Sequence, residues 1–197
     1  MIFMNEFEEF KELLMADRSV RRFDGQKRIT TSQLRELVGL TRYCASGRNL
    51  QPLKYRIVDD PKECAAIFPA LKWAGYLNDW DGPSLEERPT GYLIQCLDTD
   101  LTQTLLCDDG LQLQAITLGA KTMGIGNCII KSFNVAILKE QLDIPENMKP
   151  LYVVALGYPV EKVVIEEMDD TDDVKYWRDA AGVHHVPKRK TEELIIR

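Results

Sequence analysis

DRSVRRFD, at residues 17–24, places three arginines and a serine within five residues. Because the formal net charge of the whole chain is -6, this arginine segment is a local concentration of positive charge on an acidic protein. Guanidinium groups donate paired hydrogen bonds to phosphate oxygens, and the hydroxyl or backbone N–H of Ser19 can donate another. The segment therefore predicts a site for a phosphate ester. The alternative is a solvated connector whose arginines are held by neighbouring carboxylates such as Asp17 and Asp24.

The length and composition of the chain indicate its general class. At 197 residues, with 45% hydrophobic and 28% charged residues, it matches one globular domain that can bury a core without disulfides or metal. We therefore expect a single domain over residues 1–197. The apolar runs are too short to cross a bilayer and the N-terminus is acidic, unlike a signal peptide, so we expect a cytoplasmic protein that does not bind membranes.

Several classes of function are disfavoured by the residue content. Five scattered cysteines without a CxxC motif, together with only two histidines, do not form a metal-binding pattern and suit a reducing compartment. The acidic balance argues against nucleic acid as a partner. No convincing nucleophile or catalytic dyad is found, so we assign no catalytic residue and no metal ligand. The adjacent His184 and His185 are interpreted as structural.

Hydrophobic periodicity predicts a mixture of helices and strands. The predicted helices are residues 5–16, 31–43, 61–70, 105–123 and 134–142, and the predicted strands are residues 54–58, 91–97, 127–130, 151–156 and 194–196. The acidic run at residues 166–173 is predicted to be a solvated loop. Because an exposed terminal strand invites aggregation, the strand at residues 194–196 should pair with a sheet edge of its own chain or of a partner subunit.

Two loops are candidates for function. The sequence CASGRNLQP at residues 44–52 has small and amide side chains that can approach a flat polar ligand; the alternative is that Gly47, Asn49 and Pro52 only turn the chain. The loop at residues 71–90 contains Trp73, Tyr76 and Trp80. It is either a lid over a pocket or subunit contact, or a packed structural loop.

Taken together, these motifs resemble the FMN-dependent nitroreductase family over most of the chain. The arginine segment resembles the N-terminal phosphate-binding signature of that family, and residues 49–52 resemble its Asn-x-Gln-Pro loop. The glycine turn at residues 124–126, the run ALGYP at residues 155–159 and the basic residues 187–189 follow in the family's order. Each motif alone is weak, but their joint order and spacing are specific.

The resemblance implies an α+β fold with a mostly antiparallel central sheet packed by helices, in a homodimer with FMN at its interface. It implies FMN contacts for ten residues. Arg18, Ser19 and Arg21 would hold the phosphate and ribityl side with Lys188 and Arg189, Ser46 and Asn49 would reach across the interface, and Ile129, Ile130 and Lys131 would lie along the isoalloxazine. Arg22 is not assigned to the ligand and is expected to be an ion-pair partner.

The implied activity is a ping-pong transfer of electrons from NAD(P)H through FMN to a small electron-poor acceptor, such as a nitroaromatic or a quinone. Two alternatives stay open: a flavin-binding storage or sensor protein, and a specialised reaction on the same scaffold, such as reductive dehalogenation or flavin destruction. The chain departs from the family pattern at Asp17, where many members carry a basic residue, and at Leu53, where many carry an aromatic one. The first departure bears directly on the phosphate contacts.

Overall fold

Five α-helices and two β-sheets are present in the computed structural model, which describes residues 2–169 and 173–196, with side chains from residue 5 onward. The helices are α1 (Ile2–Ala16), α2 (Thr31–Leu40), α3 (Pro61–Ile67), α4 (Asp108–Thr122) and α5 (Val135–Gln141). The strands are β1 (Leu53–Val58), β2 (Gly91–Asp98), β3 (Gly126–Ile130), β4 (Met148–Gly157), β5 (Val163–Glu167), β6 (Trp177–Arg178) and β7 (His184–Lys188). No helix among these residues combines the length and apolarity needed to span a bilayer.

The main sheet has the strand order β1-β2-β4-β3, and every neighbouring pair is antiparallel. Its two faces are covered by different helices. Tyr92 and Ile94 of β2 pack in one core cluster with residues of α3 and α5, whereas Leu93 packs in another with residues of α2 and α4. Burial on both faces explains why β2 is almost entirely apolar from Gly91 to Leu97, with Gln95 as a buried polar exception. The predicted α+β fold with an antiparallel central sheet is confirmed.

Local sequence signals set the helix starts. Thr30 and Gln33 form the predicted capping box of α2, Asp60 caps α3 ahead of Pro61, and the side chain of Asn134 caps α5. Two predicted helix boundaries differ from those in the structure. Helix α2 gives way to a 3-10 turn after Leu40, and α4 begins at Asp108, three residues after the predicted start.

The second sheet has the order β5-β7-β6, with β5 and β7 parallel and β6 antiparallel to β7. The prediction of a loop for the whole acidic run is wrong at Glu166 and Glu167, which belong to β5; residues 170–172 of that run lie outside the described residues. Strand pairing with β7 stabilises this charged segment. Glu166 also accepts a side-chain hydrogen bond from His185.

The predicted terminal strand at residues 194–196 is wrong. Residues Thr191–Leu194 form a 3-10 helix, and residues 195 and 196 are in neither a helix nor a strand. The ion pair between Arg189 and Glu193, four residues apart, favours this turn over an extended conformation. Ile196 is 99% exposed.

The aromatic loop at residues 71–90 packs on its own chain. Trp73 is buried and stacks on Phe68 with ring centroids 5.8 Å apart. Tyr76 contacts Tyr176, and the Arg178 guanidinium lies 4.8 Å from the centre of the Trp80 ring. These contacts join the loop to the main core and to the second sheet.

Candidate functional site

The arginine segment runs along the β3 edge of the main sheet. Ser19 forms a parallel bridge with Asn127, and the Val20 N–H donates to the Asn127 carbonyl at 2.7 Å. At its far end the buried Phe23 forms an antiparallel bridge with Pro159. The backbone of the segment is therefore fixed beside the strand that leads to residues 129–131.

Arg18 has the guanidinium that is best placed to receive an anion. One arm donates to the Leu14 carbonyl at 2.8 Å, while Nε is buried without a hydrogen-bond partner. Within residues 2–169 and 173–196, Arg18 forms no ion pair with a carboxylate. The adjacent Ser19 is exposed. An uncompensated cation with an unused buried donor, next to an open hydroxyl, is a suitable arrangement for a phosphate group.

The other two arginines are directed elsewhere. Arg21 is buried, with Nη1 3.1 Å from Nε2 of His184 and its guanidinium 4.6 Å from the centre of the Tyr176 ring. Arg22 forms a two-bond ion pair with Glu87, in which Nε lies 2.9 Å from Oε2, and this hydrogen bonding lowers the pKa of Glu87. The expectation that Arg22 is an ion-pair partner is confirmed. Arg22 is therefore held by a carboxylate, as the connector alternative expects, but the partner is Glu87 and not Asp17 or Asp24.

Residues 129–131 lie at the end of β3 and differ in accessibility. Ile130 is 4% exposed and belongs to the core, whereas Ile129 is 39% exposed on the opposite face of the strand. Lys131 is exposed; its Nζ donates to the Leu151 carbonyl at 3.2 Å and lies 4.0 Å from the centre of the Tyr152 ring. Ile129 and Lys131 can therefore present side chains to a ligand, and Ile130 can present only its backbone.

The loop with Ser46 and Asn49 has a constrained backbone. Arg48, Asn49 and Gln51 have φ values of 54°, 56° and 51°, which is an uncommon conformation for residues with side chains. Hydrogen bonds hold it, because the Gln51 N–H donates to Ser46 Oγ at 2.9 Å and its side chain donates to Asn49. Such strain concentrates at functional sites.

Helix α4 fixes the other side of this loop. The Gly47 N–H donates to Asp108 Oδ1 at 3.1 Å, while Asp108 Oδ2 is buried without a partner. Ser46 and Asn49 line a pocket of about 180 Å³. Its other walls are Thr41, Arg42, Cys44, Gln51, Leu53, Lys54 and Gln112.

The C-terminal basic residues lie farther along the second sheet. Strand β7 meets the arginine segment at His184, and Lys188 follows at a distance of roughly 13 Å along an extended strand. Lys188 and Arg189 are exposed, and Arg189 pairs with Glu193 at 3.0 Å. Within one chain, the structure thus brings His184 against the arginine segment, and it places Lys188 and Arg189 beyond this contact.

Sequence reasoning missed the buried groups that join the second sheet to this region. Glu161 accepts hydrogen bonds from the Arg21 backbone N–H and from Arg178. Burial, with the nearby Arg21, lowers the pKa of His184 to about 4. The only sequence signal was the His184-His185 pair, which carries no indication of its partners.

Comparison with known proteins identifies the family. The sequence profile described as the nitroreductase family matches residues 14–90 and 99–158. This chain belongs to the nitroreductase family. As a member, it is an NAD(P)H-dependent flavin oxidoreductase, and its cofactor is FMN.

Individual relatives are distant in sequence, but each match covers most of this nitroreductase. An Archaeoglobus fulgidus protein, provisionally named NADH dehydrogenase/NAD(P)H nitroreductase, is 23% identical over 171 residues, which cover 83% of this chain and 92% of that protein. The nitroreductase family protein of Streptococcus pneumoniae superposes with a TM-score of 0.69 at 16% identity, covering 95% and 99% of the two chains, and so supports the fold. The NADPH:FMN oxidoreductase of Vibrio harveyi, solved with NAD+, gives 0.58 at 25% identity, covering 76% and 68%.

Proposed function

We propose that this nitroreductase binds the FMN phosphate at Arg18 and Ser19 and passes electrons from NAD(P)H to a small nitroaromatic or quinone acceptor. The observation that carries the proposal is the Arg18 guanidinium, which has a buried Nε without a partner and no ion pair within the described residues. A buried donor without a partner costs free energy unless a ligand satisfies it. Arg21 acts mainly through position, since its side chain faces His184.

The flavin ring would extend from this phosphate site along the end of β3. Ile129 offers an exposed apolar side chain there, and the Ile130 backbone and the Lys131 ammonium follow it. A cation beside the ring system stabilises a reduced, anionic flavin by direct charge attraction. Lys131 would have to leave the Leu151 carbonyl to reach the ring, which is a small movement for an exposed lysine.

A second copy of the chain would complete the site. Phe7 and Phe10 on α1 are 64% and 50% exposed, and a groove of about 590 Å³ lies between α1, α2 and α4. Exposed apolar surface of this kind is typical of a subunit interface. In such a homodimer Ser46 and Asn49 of one subunit would contact the flavin of the other, and Lys188 and Arg189 would add positive charge at the phosphate.

The division of labour follows from the side chains present. Bound FMN supplies the hydride and electron-transfer chemistry. The protein's residues would bind and orient the cofactor and shield it from water. This reaction therefore needs no nucleophile or general acid from the protein. Donor and acceptor would bind in turn at the same site, which would give ping-pong kinetics.

Anaerobic stopped-flow spectroscopy tests the reaction. Mixing the FMN-loaded protein with NADPH or NADH should bleach the visible flavin absorption, and a nitroaromatic or quinone should then restore it in a second mixing step. Double-reciprocal plots of the initial rate against the NADPH or NADH concentration, at several fixed acceptor concentrations, should give the parallel lines of a ping-pong mechanism. A flavin that neither nicotinamide reduces would instead support storage or sensing. Halide release or flavin breakdown as the main product would support the specialised alternatives.

A further inference from the structure

Asp17 is a buried carboxylate immediately before the proposed phosphate ligands. It is 7% exposed and forms no ion pair within the described residues. Three side chains donate hydrogen bonds to it. Oδ2 accepts from Thr117 Oγ1 at 2.7 Å and from Gln114 Nε2 at 3.1 Å, and Oδ1 accepts from Asn127 Nδ2 at 2.7 Å.

These hydrogen bonds join three parts of the fold. Asp17 closes the end of α1, since its N–H donates to the Leu13 carbonyl at 2.9 Å. Thr117 belongs to α4 and Asn127 to β3, and both are buried. The Asn127 carbonyl also accepts the Val20 N–H at 2.7 Å. Asn127 therefore fixes the chain on both sides of Arg18 and Ser19.

The charge of Asp17 works against this location. A carboxylate in a poorly solvated place repels a nearby phosphate, so simple electrostatics would favour a neutral side chain at position 17. The hydrogen-bond chemistry favours the opposite choice, because the Gln114 and Asn127 amides donate to different oxygens of Asp17, while the Thr117 hydroxyl can either donate or accept. An asparagine has one oxygen for these two amide donors, so its NH2 group would face one of them and remove its acceptor.

We infer that Asp17 is a positioning residue for the phosphate site: its hydrogen bonds from α4 and β3 hold Arg18 and Ser19 in the geometry that binds FMN, and this effect outweighs its repulsion of the phosphate. The inference rests on the proposed placement of FMN. It assigns a role in cofactor selection to a residue that does not touch the cofactor.

The substitution Asp17→Asn distinguishes phosphate repulsion from positioning, because the two effects change FMN affinity in opposite directions. It removes a negative charge, so a purely electrostatic role predicts tighter FMN binding. The positioning role predicts FMN binding that is weaker by about tenfold or more, since a displaced Arg18 or Ser19 would lose a charge-assisted contact with the phosphate. Riboflavin, which lacks the phosphate, provides the comparison. In Asp17→Asn the riboflavin dissociation constant should change by less than about threefold, which is much less than the change for FMN.

A second pair of variants covers the case in which Asp17→Asn does not fold. Thr117→Val keeps the shape of the side chain but removes the 2.7 Å donor, whereas Thr117→Ser keeps the hydroxyl. The ratio of riboflavin to FMN dissociation constants should fall in Thr117→Val and recover in Thr117→Ser. A general loss of packing would weaken binding of both flavins together and would not depend on the hydroxyl.

Fluorescence titration of the wild type, Arg18→Ala and these variants with both flavins gives a distinct result for each hypothesis. Tighter FMN binding by Asp17→Asn, or an unchanged ratio in Asp17→Asn and Thr117→Val, would overturn the positioning role while Arg18→Ala still shows the phosphate site to be correctly placed. If wild type and Arg18→Ala do not differ in their preference for FMN over riboflavin, the placement itself is wrong and the inference fails with it.

Discussion

Nη1 of Arg21 lies 3.1 Å from Nε2 of His184, so the middle arginine of the arginine segment joins that segment to the second sheet. His184 is fully buried, and its burial together with the positive charge of Arg21 lowers its pKa to about 4. The neutral imidazole can accept a hydrogen bond from the guanidinium, whereas a protonated ring would add a third positive charge beside Arg21 and Arg178.

We therefore predict an acid-dependent loss of stability at His184. Because the pKa is lower in the folded state than in the unfolded state, the unfolded state binds more protons between about pH 6.5 and the folded-state pKa. The free energy of unfolding should fall as the pH is lowered through this window. Urea unfolding of the wild type and His184→Gln at several pH values measures the effect. The variant should be less stable at neutral pH, but its free energy of unfolding should fall less on acidification than that of the wild type. An equal fall in the two proteins would contradict the prediction.

His185 should show the opposite pH dependence. Its Nδ1 lies 2.5 Å from Glu166 Oε1 and its Nε2 3.3 Å from Asp179 Oδ2, while the ring stacks on Trp177 at 4.0 Å. The hydrogen bond with Glu166 is the main reason that its pKa is raised. The stabilisation from the protonated ring is complete below the ordinary histidine pKa and is lost as the pH rises through the raised value.

NMR titration of the imidazole protons measures this second effect. Glu166→Gln should lower the His185 pKa, and Asp179→Asn should lower it less, because the Asp179 contact is longer. An unchanged His185 pKa in Glu166→Gln would show that the 2.5 Å contact does not determine its protonation.

Arg22 should contribute to stability but not to FMN binding. Both of its bonds go to Glu87 in a partly buried pair, so Arg22→Lys keeps the charge but loses the two-bond geometry. We expect a loss of about 1 kcal/mol in the free energy of unfolding. Urea unfolding measures that loss, and flavin titration should show an unchanged FMN dissociation constant. A weaker FMN complex would place Arg22 at the ligand.

Gly157 should not tolerate even a methyl group. A Cβ at this position would lie 2.7 Å from Cδ1 and 2.8 Å from Cβ of Phe23, which is fully buried at the end of the arginine segment. Gly157→Ala should therefore cost about 1–3 kcal/mol of stability. Gly75→Ala is the control, because a Cβ there meets nothing within 4 Å. Thermal unfolding curves that shift equally in the two variants would show that the contact with Phe23 can relax.

The sequence predicted the main sheet because its strands carry their own signal. Strand β2 is apolar on both faces, and the helices around it begin at recognisable caps such as Thr30 and Asn134. The second sheet carries no such signal, since β5 and β7 are short and charged and are held by contacts distant in sequence. One of these contacts, between Arg21 and His184, joins residues 163 positions apart.

The same limit applied to the site. The cluster at residues 18–22 indicated an anion, but its spacing could not show that Arg22 would pair with Glu87, 65 residues away. Nor could it show which donors satisfy Asp17, because Thr117 and Asn127 are brought together only by the packing of α4 on the sheet. Local patterns gave the ligand class, and long-range contacts decided which side chains remain available to it.

Titration of the purified protein with FMN, followed by flavin fluorescence, tests the central claim most directly. The wild type should bind FMN and carry the visible absorption of an oxidised flavin. Arg18→Ala should keep its circular dichroism spectrum but bind FMN about ten- to a hundredfold more weakly, as expected for one lost charge-assisted phosphate contact. A wild-type protein that takes up no FMN, or an Arg18→Ala variant that binds it equally well, would contradict the account.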